Sequence, residues 1–210
     1  MAELLGGAAS TENNARFVAA PIPVSVHIVS VTVYSLLGAL QFVPSLRRGR
    51  RSWHRVIGRI LVPAGLLVAV SGLWMTGFYP RPPGDGESLV GVRLVVGSAM
   101  VASIVLGVLA IRRRDFAAHG AWMTRAYAIA LGAGTQVFPM LPWVVAFGPI
   151  GATDELPRTL LMAAGWAINL GVAEYVIRRR SAPGSNRSSG GSRRLAATLE
   201  AGGQAAAGTF

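Results

Sequence analysis

The sequence predicts an all-α integral membrane protein, a bundle of five transmembrane helices. Three observations predict it. Hydrophobic residues make up 52% of the 210, charged residues only 14%, and the mean hydropathy is +0.48, a membrane composition and not that of a soluble globule. Five apolar stretches follow one another between residues 22 and 177, each close to the ~20 residues that cross a hydrocarbon core about 30 Å thick. Charge falls between and after these stretches, so little polar surface is left to cover five buried helices of a soluble protein. Alternating strands are absent, and in lipid only helices or closed barrels satisfy the backbone.

Residues 1–20 read as a short extracytoplasmic tail; Glu3 and Glu12 stand where a cleaved signal peptide would carry basic residues. The first apolar segment covers about 22–43 and places His27, Tyr34 and Gln41 seven residues apart. Two helical turns bring each onto nearly the same face, so this polar stripe should face protein and not lipid. The second segment, about 56–78, places Gly58, Gly65 and Gly72 at the same interval, which lets another helix approach closely. The third, about 89–111, opens near Arg93, expected to snorkel toward Asp85 or Glu87 in the turn-rich loop before it.

The fourth segment, about 121–147, is the longest, and Gly132, Gly134, Pro139 and Pro142 make it bendable. The fifth, about 159–177, ends on Arg178, Arg179 and Arg180. Tyr34, Thr135, Gln136 and Asn169 fall near mid-span. A buried polar group without a partner is costly, so these four are expected to find one another, as helix-to-helix hydrogen bonds or as a ligand site. The membrane domain is thus 21–180, and the Ser-, Gly-, Ala- and Arg-rich 181–210 reads as a disordered cytoplasmic tail.

All 20 basic residues are arginine. Sixteen flank the segments on one side and four, Arg16, Arg81, Arg93 and Arg158, lie on the other, which accounts for all 20. The positive-inside rule then sets the N-terminus outside and the C-terminus in the cytoplasm. The net charge of +11 follows this membrane-flanking pattern, not one soluble face, so the partner is the lipid bilayer and no nucleic acid is expected. A homo-oligomer or a larger membrane complex is compatible with the chain. There is no cysteine, and without lysine there is no phosphate-binding loop of the Gly-Lys kind. Glu174 is the one acid well inside an apolar segment, which leaves no credible Ser-His-Asp or paired-carboxylate site, so no enzyme class is assigned.

The three histidines all sit at membrane boundaries. His54 and His119 each open a descending helix just after an Arg-rich loop, and Arg59 and Arg125 follow five and six residues later, a weak internal repeat. If the two helices are neighbours, the imidazoles lie at similar depth. They could then ligate a haem iron, with Arg55, Arg59 and Arg125 holding the propionates. The plainer alternative is that these residues anchor helix ends at lipid phosphates.

His54, Arg55, Gly58 and Arg59 match a His-Arg-x-x-Gly-Arg motif; His119, Trp122, Met123, Arg125, Tyr127 and Ala128 match His-x-x-Trp-Met-x-Arg-x-Tyr-Ala. In both motifs the chain resembles a group of predicted bacterial membrane proteins, the domain of unknown function 2306 family. His27, Gly38, Gln41 and Pro44 are similar to that family's first helix, and the resemblance covers roughly residues 25–145. It departs at Gly120-Ala121, where relatives often carry basic residues, and at Val137, near which they often carry Arg. The resemblance implies a multi-helix membrane protein without an assigned reaction. It points to His54, His119 and their neighbours as the site. Two functional classes follow for testing: a small haem b electron-transfer protein, and a non-redox binding, transport or structural module built on His27, Tyr34, Gln41, Gln136 and Asn169.

Overall fold

The computed structural model describes residues 14–42, 51–151 and 153–181. The expected tails, through residue 13 and from 182 onward, lie outside the described residues. Seven helices are described: α1 (Ala15–Ala19), α2 (Pro21–Gln41), α3 (Arg51–Phe78), α4 (Glu87–Arg112), α5 (Phe116–Thr135), α6 (Val137–Phe147) and α7 (Glu155–Ser181). Five spans are long and apolar enough to cross a membrane: α2, α3, α4, α5 with α6, and α7. Large apolar side chains such as Leu36, Val95, Phe138 and Val145 lie on the outside of these spans, as lipid contact requires. The one departure before the first span is α1, a single turn where a polar tail is expected; the Asn14 carbonyl accepts the Phe17 and Val18 amides.

Local chemistry explains the breaks. The fourth span divides at Gln136, because Pro139 has no N–H for the Thr135 carbonyl and its ring crowds that turn. The α4–α5 turn closes as a Schellman motif: Asp115 N–H bonds the Ala110 carbonyl and Arg114 N–H bonds that of Ile111, both at 3.0 Å. Arg114 takes the left-handed conformation usually given to glycine, at φ 61°. Asp115 then caps α5, its Oδ1 accepting the Ala118 amide at 2.9 Å. This rigid turn puts His119 one helical turn into α5.

Packing is arranged as two antiparallel hairpins, α2 with α3 and α4 with α5, joined where α3 lies against α4; α2 and α5 meet more sparsely. Tyr34, Val68, Met100, Ile104, Ala126 and Ile129 form the core between them. Within the first hairpin the two seven-residue stripes mesh in register. A Cβ at Gly72 would lie 3.4 Å from His27 Cε1, and one at Gly65 would lie 2.6 Å from Tyr34 Cε2. The third pair, Gln41 and Gly58, continues that register, but a Cβ at Gly58 would meet nothing within 4 Å. Glycine is therefore a packing requirement at Gly65, as the sequence suggests, whereas at Gly58 it leaves open space.

Side-chain contacts bring the first part of α7 to α5. Trp166 lies against Gly132, Gly165 lies against Gln136, and Asn169 Nδ2 donates to Thr135 Oγ1 at 2.5 Å. The expected meeting of mid-span polar groups is thus realised for Thr135 and Asn169 only. Tyr34 packs on Gly65 and on Tyr127 instead, with ring centroids 5.8 Å apart. The described residues from Glu174 onward belong to a separate unit, in which the Arg179 guanidinium lies 4.7 Å from the Tyr175 ring centroid.

Candidate functional site

Two compartments stand out among the described residues, one toward each end of the bundle. At the arginine-rich end a pocket of about 100 Å³ is lined by six of the candidate site residues, His54, His119, Tyr34, Gln41, Met123 and Tyr127, together with Gly38 and Gly58. Adjacent helix starts bring the two histidines to it, α3 carrying His54 and α5 carrying His119. His119 Nδ1 lies 2.8 Å from the Gly107 carbonyl. A carbonyl only accepts, so Nδ1 carries the proton and, in the neutral ring, Nε2 keeps a lone pair. Gln41 Nε2 donates to the His54 carbonyl at 3.2 Å, which ties α2 to the start of α3, while its Oε1 is buried with no hydrogen-bond partner among the described residues.

Tyr127 closes this end. Its hydroxyl donates to the Ser35 carbonyl at 2.9 Å, its ring sits 5.1 Å from that of Phe42, and its edge fills the space above Gly38. Any side chain at Gly38 would overlap the ring, so glycine is what admits the tyrosine. The predicted arginines do not line the pocket. Arg55 and Arg59 are exposed on α3, and Arg125 lies over the Trp122 ring at 4.7 Å.

The second compartment is larger, about 590 Å³, and lies between the hairpins toward Asp85. All five spans line it, with residues such as Val31, Val68, Met100, Ile129 and Trp166 making most of its wall apolar. Ile28 and Thr32 of α2 and Leu131 and Gly134 of α5 line it too, and all four are exposed. The cavity therefore reaches the outer surface of the bundle between α2 and α5. His27 and Gln136 are the two sequence-predicted residues found here; Asn169 and Trp122 line neither compartment. His27 Nδ1 lies 2.9 Å from Ser71 Oγ, whose own proton goes to the Leu67 carbonyl at 2.5 Å, so the ring donates from Nδ1. Gln136 is buried, and its Nε2 has no hydrogen-bond partner among the described residues.

Charge is concentrated at one edge of this cavity. Asp85 Oδ2 is 2.5 Å from Arg93 and Oδ1 is 2.8 Å from Arg158 Nε. The carboxylate side chain is only 1% exposed, so two guanidiniums share one buried acid. Arg93 thereby meets the expectation that it would turn toward Asp85. Arg81 pairs with Glu87, and Arg16 lies over the Phe17 ring at 4.6 Å. Arg16 Nε is buried and without a partner among the described residues. Tyr79 donates to the Ala20 carbonyl, and burial pushes its phenol up, against the opposing pull of the Val24 backbone and Arg16. It stays protonated and gives Arg16 no counter-anion.

Sequence reasoning reached only part of this compartment: it named His27 and Gln136 and turned Arg93 toward Asp85, but it passed over Arg16 and Trp166, which lie far from them in the chain.

The chain was compared with known proteins. A family described as "Predicted membrane protein (DUF2306)" matches residues 24–177. No curated protein and no solved structure matches the chain significantly.

Proposed function

The chain belongs to the DUF2306 family of predicted membrane proteins, and we propose that it is a membrane-embedded binding module for an amphiphile that enters from the bilayer. The observation that carries this reading is the 590 Å³ cavity, which all five spans line and which reaches the lipid-facing surface between α2 and α5. Its size lies within the roughly 300–1,000 Å³ of ligand sites, and its walls are apolar with a few convergent polar groups. A nitroxide-labelled stearate methyl ester, added to protein in a neutral detergent, should quench Trp166 fluorescence. Gly134→Phe and Ala130→Phe, which put bulk into the cavity, should each weaken that quenching. Quenching that survives both substitutions unchanged would sink the reading.

The observation that favours the haem alternative is that both histidines line one pocket. That pocket, at about 100 Å³, is below the roughly 300 Å³ lower end for cofactor-sized ligands, and Arg55 and Arg59 do not line it. The binding module is therefore the better-supported function. A reduced-minus-oxidised spectrum of the purified protein separates the two: a haem band lost in His54→Ala and His119→Ala would reverse the preference.

The proposed orientation puts the N-terminus outside and the arginine-rich end in the cytoplasm, on the sixteen-to-four division of the arginines. In intact cells an impermeant maleimide should then label Pro83→Cys and spare Ser45→Cys. The opposite pattern would invert the topology.

A further inference from the structure

We infer that the amphiphile held in the large cavity is anionic, with a carboxylate or phosphate head group seated by Arg16 and an oxygen of its upper chain reaching Gln136. The inference rests on the binding-module reading above. Its starting point is the sense of the unmet polar groups. Two buried side-chain atoms that line the cavity lack partners among the described residues, Arg16 Nε and Gln136 Nε2, and both are donors. A buried donor left without an acceptor costs more than the same donor bonded. An occupant rich in acceptors removes both costs; a hydrocarbon removes neither.

The charges agree. Three arginines and one acid line the cavity: Arg16, Arg81 and Arg93 against Asp85. Asp85 is spent on Arg93 and Arg158, and Arg81 is spent on Glu87. The other described acids of that end are held elsewhere, Asp154 Oδ2 by the Gly151 amide at 2.9 Å and Glu155 beside Gly86. That leaves the Arg16 guanidinium, which rests on a phenyl ring and has no carboxylate among the described residues. His27 adds a ring nitrogen that serves as acceptor or, once protonated, as donor. A fork of guanidinium N–H groups matches carboxylate and phosphate oxygens better than any neutral head group.

The test measures selectivity on the intact chain in a neutral detergent at about pH 8, where a carboxylate is ionised. Four nitroxide probes are titrated against Trp166 fluorescence: stearate, its methyl ester, lysophosphatidate and lysophosphatidylcholine. At least one anion should bind about tenfold tighter than its neutral or zwitterionic counterpart. Arg16→Gln should remove most of that ratio, and Arg16→Lys should restore part of it. Gln136→Leu should weaken the esters and the anions alike. The stearate and lysophosphatidate arms decide between carboxylate and phosphate. Equal affinity for charged and neutral probes would overturn the inference while leaving the cavity reading intact. If none of the four quenches Trp166, the cavity reading fails with it.

Discussion

At the arginine-rich end α2 and α5 are clasped by Tyr127, whereas toward Asp85 the same two helices enclose a cavity of about 590 Å³. One pair of helices is thus in contact at one end and parted at the other. The difference is traceable to side chains. Gly38 admits an aromatic ring and Ser35 offers it a carbonyl, so the clasped end needs no loop to close it. Toward Asp85 the facing positions are Ile28, Thr32, Leu131 and Gly134, none of which reaches across. Polar groups follow the same division. Near Tyr127 an unmet buried group is an acceptor, Gln41 Oε1, while at the cavity two donors, Arg16 Nε and Gln136 Nε2, have no partner among the described residues. Tight packing makes a scaffold, and its interruption makes a site.

The largest effect is expected where charge is deepest. Asp85→Asn removes the acid that Arg93 and Arg158 share, and breaking a buried ion pair from one side costs about 3–5 kcal/mol. Because the two arginine side chains are 28% and 25% exposed, the loss should fall at the lower end of that range. Thermal unfolding in detergent should show it as a large drop in Tm, and an unchanged Tm would mean that the triad does not hold the loop to α4 and α7.

At the clasped end the matching experiment is Gly65→Leu. Its Cβ would stand 2.6 Å from Tyr34 and 2.9 Å from Ile104 Cδ1, so the hairpins must part. Overpacking of this kind costs about 1–3 kcal/mol. Gly58→Ala on the same stripe meets open space and should be neutral or gain up to about 1 kcal/mol of helix propensity. Equal losses at both positions would refute the register in which Gln41 and Gly58 continue the pairs above them. Tyr127→Phe is milder: it forfeits one hydrogen bond to Ser35, about 1 kcal/mol, and keeps the ring over Gly38.

These two ends were unequally legible in the sequence. Number of spans, their limits to within a few residues, and the apolar faces follow from composition and period, because lipid leaves the backbone so few solutions. The pocket of His54 and His119 was also within reach, since each residue type carries its chemistry openly and each follows a basic loop. What lay beyond the sequence was which helices part. Arg16 belongs to a turn read as tail, and its distance in sequence from Asp85, Arg93 and Trp166 gives no period or motif. A cavity is made by side chains that fail to meet, and a missing contact leaves no mark on residue spacing. Gly58 shows the same limit from the other side: its stripe is regular in sequence, but only two of its three members are packed.

The smallest expected difference bears most directly on the cavity. Gln136 and Asn169 both sit near mid-span, and sequence alone treats them alike. Asn169 Nδ2 is bonded to Thr135 Oγ1 and also lies 3.1 Å from the Gly165 carbonyl, so Asn169→Leu should cost about 0.6 kcal/mol, the ordinary worth of such a bond between membrane helices. Gln136 Nε2 has no hydrogen-bond partner among the described residues. Replacing it by leucine removes a buried donor without an acceptor, so Gln136→Leu should hold or raise Tm while it weakens binding of the oxygen-bearing probes. A group that lowers stability and raises affinity has been kept for the ligand. If Gln136→Leu instead lowers Tm as much as Asn169→Leu does, the amide is structural, and the cavity loses one of the two donors that define its occupant.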